Sequence, residues 1–149
     1  MSLPEPVRPA WRWTVERETD VPHVVAGCRQ FCLDQGLSAV VAAHVATAAS
    51  ELANNLWMHT RQGGEIQLAR LPGADLGVEL RAEDHGPGIA DVEAALREGY
   101  STAGGMGCGL PGVRRLMDSF ELHSRPGQGT QVVGRKWAHP PPRAERPAP

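Results

Sequence analysis

Glu51 and Asn55, in the stretch SELANN, are the first candidates for chemistry because they stand one turn apart in a helix-like pattern. Side chains four residues apart on a helix share a face, so the two groups can act on one molecule. A glutamate carboxylate can accept a proton from a hydroxyl or a water. An asparagine amide oxygen suits Mg²⁺, which prefers oxygen ligands. Taken alone, such a pair is more typical of a solvated helix surface than of a site.

Two glycine-rich stretches lie downstream, DHGPG at 84–88 and GGMGCGL at 104–110. The first follows a strand pattern, so Asp84 offers a carboxylate acceptor, and Gly86 and Gly88 let a ligand approach the backbone closely. The second precedes a helix pattern, where consecutive backbone N–H groups form a cradle for phosphate. It is not a P-loop, because no Gly-Lys-Ser/Thr follows, and no βαβ unit makes it a dinucleotide fingerprint. Each stretch alone also fits an ordinary surface turn or loop.

The elements that must position these residues follow from the hydrophobic periodicity. The predicted order is a strand at 11–17, helices at 19–36 and about 38–60, strands at 64–71 and 76–84, a helix at about 110–118, and two strands around 126–129. Thr19 or Asp20 is expected to cap the first helix, and Ser38 the second. Runs of helices and strands without βαβ alternation predict an α+β sandwich with an antiparallel or mixed sheet.

Composition bounds the domain organisation and excludes several classes of protein. A chain of 149 residues suits one domain. Proline-rich ends predict disordered tails at 1–10 and 139–149 around a folded domain at 11–138. The net charge of −2 provides no broad basic surface for nucleic acid or for an anionic membrane. Because no membrane-span or signal-peptide pattern is found, a cytoplasmic location is expected.

The three cysteines, Cys28, Cys32 and Cys108, are odd in number and poorly placed for a disulfide framework. A metal site would need further Cys or His ligands at suitable spacing, and the CRQFC stretch has no matching partner pair. Reduced, partly buried thiols are therefore predicted.

The joint pattern is far more specific than its parts. Glu-x-x-x-Asn, Asp-x-Gly-x-Gly, Gly-x-Gly-x-Gly and, at 127–130, Gly-x-Gly-Thr occur in that order. Over residues 11–137 this order resembles the GHKL (Bergerat) ATP-binding fold shared by gyrase, MutL and histidine kinases. The resemblance implies a two-layer α+β sandwich, in which helices cover one face of a mixed, mostly antiparallel sheet.

The resemblance also implies roles for individual residues. Asn55 would ligate Mg²⁺, Glu51 would be the general base, and Asp84 would take the adenine amino group of ATP. The rest of the adenine pocket would comprise Gly86, Gly88, Ile89 and Thr130. The segment that lines the phosphates would comprise Gly105, Met106, Gly107, Cys108, Gly109 and Leu110, with 89–104 as the ATP lid.

Within the superfamily, the stretches SELANN, GYSTAGGMGCGLPGVRRLMDSFEL and GTQVVGRKW resemble the RsbT-type switch kinases, relatives of the anti-sigma-factor serine kinases. This implies an ATP- and Mg²⁺-dependent kinase that phosphorylates Ser or Thr on a STAS-domain antagonist or scaffold protein in bacterial stress signalling. A downstream phosphatase or a sigma-regulatory protein would be a further partner.

Two alternatives stay open at this point. One is an ATP-binding, anti-sigma-like module that sequesters or activates its partner with little or no turnover. The other is a histidine-kinase catalytic domain, which would need an acceptor-histidine helical hairpin. The ten residues before the first strand are expected to leave no room for such a hairpin.

Overall fold

The computed structural model describes residues 5–59, 62–84, 109–125 and 129–140, except for the side chains of His59 and Arg125. Five strands form one sheet in the order β1-β2-β3-β5-β4. The strands are β1 (Trp11–Val15), β2 (Gly64–Arg70), β3 (Gly77–Asp84), β4 (Ser119–Arg125) and β5 (Gly129–Trp137). Every pairing among these five strands is antiparallel, so this part of the sheet contains none of the parallel pairs that a mixed sheet would have.

Among the described residues, three α-helices accompany the sheet: α1 (Val21–Asp34), α2 (Ala39–His59) and α3 (Leu110–Leu116). Their positions confirm the periodicity argument, with ends that differ from the predicted ones by a few residues. Ser38 caps α2 as predicted, because its hydroxyl accepts the N–H of Val41 at 3.2 Å. The α+β prediction is therefore confirmed, and none of the helices in the described ranges is both long and apolar enough to cross a bilayer.

Asp20 occupies the N-cap position of α1, as one of the two predicted alternatives, but its side chain binds the turn that precedes this helix. Asp20 ends a 3₁₀ turn (Glu18–Asp20), and its side chain makes no capping bond to α1. Its Oδ2 instead accepts the backbone N–H groups of Glu16 at 2.9 Å and Arg17 at 3.0 Å. These two bonds, of which the one from Glu16 has the larger effect, lower the pKa of the Asp20 carboxyl group. The carboxylate thus stabilises the turn that joins β1 to α1.

One face of the sheet and the apolar stripe of α2 enclose the core. Alternate residues of the central strands face the helices, because successive side chains of a strand point to opposite faces. The fully buried members from β2 and β3 are Ile66, Leu68, Val78 and Leu80. From α2 the stripe contributes Val45, Ala49, Leu52 and Leu56. The alternation fixes which residues of each strand face the helices.

The opposite residues of β3 carry a buried ionic cluster. Glu79 is only 3% exposed and accepts from Arg81 Nη2 at 3.3 Å and from Arg135 Nε at 3.1 Å. A buried carboxylate without such partners would be strongly destabilising. Because Glu79 and Arg135 are also paired in the β3–β5 ladder, the cluster stabilises the pairing of β3 with β5.

Candidate functional site

The helix that carries Glu51 and Asn55 packs against the carboxyl end of β3. A Cβ atom placed on Gly64 would lie 2.6 Å from Leu56 Cδ2 and 3.2 Å from the Cα of Asp84. Leu56 follows Asn55 directly, so the helical turn that holds Asn55 adjoins the strand end that holds Asp84. Gly64 makes this close approach possible because it has no side chain. Both Glu51 and Asn55 are half-buried.

Glu51 lies directly against the start of α3. Gly109 precedes that helix and has a φ of +73°, in the left-handed region that favours glycine. A Cβ atom on Gly109 would collide with Glu51 Oε2 and would lie 3.2 Å from both the Cβ and the Cδ of Glu51. The glutamate side chain therefore occupies the space that any side chain at position 109 would need.

Asp84 and Thr130, which are 46 residues apart in the sequence, meet at the ends of β3 and β5. The backbone N–H of Thr130 donates to Asp84 Oδ1 at 3.2 Å. Behind this bond, the hydroxyl oxygens of Ser124 and Thr130 are 2.9 Å apart, and the Ser124 hydroxyl also donates to the carbonyl of Gly129 at 3.3 Å. Ser124 is not among the residues predicted from the sequence. The β4–β5 register, which pairs Ser124 with Thr130, indicates its role, but this register is known only once the hairpin is known.

The far end of α3 is anchored to β5 by Asp118. Asp118 Oδ2 accepts the backbone N–H of Trp137 at 2.9 Å, and Oδ1 lies 3.4 Å from Lys136 Nζ. The N–H of Asp118 in turn donates to the carbonyl of Arg135 at 2.8 Å. These contacts hold the short helix against the sheet, and with it the position of Gly109 beside Glu51.

The remaining predicted site residues divide into two groups. The side chain of Leu110 is 2% exposed and belongs to the core, so a contact with a ligand would involve its backbone. The other group and the predicted lid, 89–104, lie outside the described residues. This group consists of Gly86, Gly88, Ile89, Gly105, Met106, Gly107 and Cys108.

The cysteines of α1 play no part in this arrangement. Cys28 and Cys32 are free thiols and fully buried, which agrees with the prediction of reduced thiols. Burial raises the pKa of the Cys32 thiol to about 12 and raises that of Cys28 as well. In the ranges that the structure describes, no group of three or more His, Cys, Asp or Glu side chains could hold a metal ion.

Several known proteins are similar to this chain. Residues 14–136 match the family of the histidine kinase-like ATPase domain. The chain is 42% identical over 111 residues to the serine/threonine-protein kinase RsbT of Bacillus subtilis (strain 168), and the match covers 73% of this chain and 82% of RsbT.

Two solved structures have a similar fold. A chain of the SiaB-SiaC complex from Pseudomonas aeruginosa matches with a TM-score of 0.53 and 11% identity, over 87% of this chain and 89% of that one. The histidine kinase domain of the blue-light activated histidine kinase from Erythrobacter litoralis EL346 matches with a TM-score of 0.50 and 18% identity, over 79% of this chain and 59% of that one.

The five-stranded antiparallel sheet with its helices and the match over residues 14–136 show that the chain belongs to the histidine kinase-like ATPase (GHKL) family. Within that family, the identity to RsbT shows that it is a serine/threonine protein kinase of the RsbT type, which uses ATP.

Proposed function

We propose that this kinase transfers the γ-phosphate of ATP to a serine or threonine side chain of a STAS-domain regulatory protein in bacterial stress signalling. The observation that carries the proposal is the contact between the carboxylate of Glu51 and Gly109. This contact places a proton acceptor beside the end of the glycine-rich stretch that would line the phosphates. The 42% identity to RsbT, a serine/threonine-protein kinase, supports the same reaction.

In the proposed step, the acceptor hydroxyl oxygen attacks the γ-phosphorus of ATP. A new P–O bond forms, the bond from the γ-phosphorus to the oxygen that bridges it to the β-phosphate breaks, and ADP leaves with that electron pair. The hydroxyl proton passes to the carboxylate of Glu51. Because the hydroxyl has a high pKa, a positioned base accelerates the transfer, typically by 10²–10⁴-fold. Phosphoryl transfer otherwise depends mainly on positioning and on neutralising charge.

Asn55 is the proposed protein ligand of Mg²⁺. Magnesium that accompanies a nucleotide needs only one or two protein oxygens, because substrate phosphates and waters complete its coordination. The half-buried amide of Asn55, one turn from Glu51 and beside the end of β3, fits that demand. When bound, the ion would neutralise the charge that develops on the phosphates.

The adenine subsite is proposed at Asp84 and Thr130. A carboxylate offers about four lone-pair positions, so a bond from the Thr130 N–H is compatible with a further bond from the adenine amino group. A guanine would present its O6, an acceptor, to the same carboxylate. That arrangement would leave two acceptors facing each other, so ATP is expected to be preferred over GTP.

The test is to purify the kinase with its bound proteins and to incubate the complex with γ-labelled ATP and Mg²⁺. We expect the label to appear on a separate STAS-domain protein as a phosphate ester that survives acid. Recovery of only acid-labile phosphate, or of label confined to the kinase itself, would contradict the proposal. ATP binding without any transfer would instead support the ATP-binding regulatory module.

A further inference from the structure

We propose that Gly109 is a positioning residue for Glu51: the absence of a side chain at position 109 determines where the glutamate carboxylate lies. This inference rests on the proposed function of Glu51 as the general base. Gly109 would then have two roles. It would belong to the glycine-rich stretch that lines the phosphates, and its lack of a side chain would position the proton acceptor.

The space between α2 and α3 is too small for a side chain at position 109. A Cβ atom on Gly109 would collide with Glu51 Oε2, and it would lie 3.2 Å from two further atoms of the same side chain. Real Cβ contacts are seldom that short, so an alanine at this position requires something to move.

Neither backbone can yield easily, so the glutamate side chain must move. On α2, the neighbours Ala48 and Leu52 are buried in the core and hold the helix in place. On α3, Val113 is fully buried, and Asp118 fixes the end of the helix to β5. The half-buried carboxylate of Glu51 is the part of the contact with freedom to turn away. An added methyl group would therefore displace mainly the proton acceptor, and its 3.2 Å contact with Glu51 Cβ would require only a small shift of the helices.

Alanine variants of two other glycines are controls for effects of the substitution that do not depend on this contact. Gly112 lies on α3 itself, and a Cβ there would meet no atom within 4 Å. Gly73 has a φ of +109°, and a Cβ there would also meet nothing within 4 Å. Gly112→Ala thus controls for a change in α3, and Gly73→Ala controls for the strain of a left-handed backbone.

The first experiment is a thermal-unfolding cycle, which needs no enzymatic activity. Gly109→Ala is introduced into the parental protein and into Glu51→Ala, which removes the colliding oxygen. We expect a clearly smaller fall in Tm in the Glu51→Ala background, close to the fall that Gly73→Ala causes. If Gly109→Ala folds only in the Glu51→Ala background, the contact is also supported. Equal falls in both backgrounds, or failure to fold in both, would overturn the inference.

The second experiment measures single-turnover phosphoryl transfer in a cycle with Glu51→Gln. In the parental protein, Gly109→Ala should lower the transfer rate by on the order of 10²-fold, the cost of a misplaced catalytic group, with a much smaller change in ATP affinity. In Glu51→Gln it should cause no further loss of rate, whereas Gly112→Ala should transfer at the parental rate. Additive losses would mean that Gly109 acts independently of Glu51, and would overturn the inference.

The two proposals fail in different ways. If Glu51→Gln transfers phosphate at the parental rate, the general-base role is wrong, and the unfolding cycle still decides whether Gly109 controls the position of the Glu51 side chain. If Glu51→Gln is impaired but Gly109→Ala is not, only the positioning role is wrong.

Discussion

At the scale of single residues, the hydroxyl of Ser124 supports the pair formed by Asp84 and Thr130. Replacing Ser124 with alanine removes its bonds to Thr130 and Gly129, so the Thr130 end of the adenine subsite should loosen. A hydrogen bond contributes about 0.5–1.5 kcal/mol net, which corresponds to a weakening of ATP affinity by roughly twofold to tenfold. Titration calorimetry with ATP and Mg²⁺ measures this change.

Ser119→Ala is the matched control for that measurement. Ser119 lies at the other end of the same strand, where it pairs with Arg135. Its ATP affinity should equal that of the parent. An unchanged affinity in Ser124→Ala would show that Ser124 does not support the nucleotide subsite.

The buried thiols of α1 give a prediction for alkaline pH. Burial raises the folded-state pKa of Cys32 to about 12, whereas an exposed thiol ionises near pH 8.5. The resulting stability is fully present below the unfolded-state pKa and is lost as the pH rises toward the folded-state value. Between about pH 9 and pH 10, this thiol should therefore remove about 1 kcal/mol from the free energy of unfolding.

Urea unfolding of the parent and of Cys32→Ala across this range tests the thiol prediction. The variant is less stable throughout because it leaves a cavity. Its free energy of unfolding should nevertheless fall less steeply with pH than that of the parent. Parallel pH profiles would contradict the assignment of this loss to the buried thiol.

At the scale of secondary-structure elements, the packing of α1 against β1 depends on Gly27. A Cβ atom there would lie 2.6 Å from Trp13 Cζ2, so Gly27→Ala should destabilise the fold by about 1–3 kcal/mol despite the better helix propensity of alanine. Gly112→Ala, in open space on α3, should be neutral or stabilising by up to about 1 kcal/mol. Chemical denaturation compares the two variants, and equal stabilities would contradict the packing role of Gly27.

Elements with strong hydrophobic periodicity could be predicted from the sequence, whereas contacts between elements could not. The helices, the strands and the Ser38 cap follow from local patterns, which report on a few neighbouring residues at a time. The sequence predicts that Thr19 or Asp20 caps α1, but it does not show which turn the Asp20 side chain binds, because either neighbouring turn offers N–H groups that a carboxylate can accept.

The same difference between local patterns and contacts between elements applies to the residues of the site. Glu51 and Asn55 could be paired from their spacing on one helix, and Asp84 from its place at the end of a strand. Ser124 could not be found, because its role requires the β4–β5 register. The contact of Gly109 with Glu51 requires the packing of α3 on α2, to which no local pattern of residue types corresponds.

At the scale of the whole molecule, ATP with Mg²⁺ should stabilise the fold because it would bind the native state and not the unfolded chain. At about 100 times its dissociation constant, the ligand should add about 2.7 kcal/mol to the free energy of unfolding. Asp84→Asn replaces an acceptor-only carboxylate with an amide, so this variant should show a much smaller ATP-induced rise in Tm. An unchanged rise in Asp84→Asn would remove Asp84 from the adenine subsite.

The most direct test of the central claim is the rate at which Glu51→Gln transfers phosphate to a serine or threonine of the partner protein in a single turnover. Glutamine keeps the shape of the side chain beside Gly109 but cannot accept the hydroxyl proton. The account predicts that ATP raises the Tm of Glu51→Gln as it does that of the parent, while the transfer rate falls by roughly 10²–10⁴-fold. Asn55→Ala, which removes the proposed metal ligand, should lose both Mg²⁺-dependent binding and transfer. Transfer by Glu51→Gln at the parental rate would contradict the account.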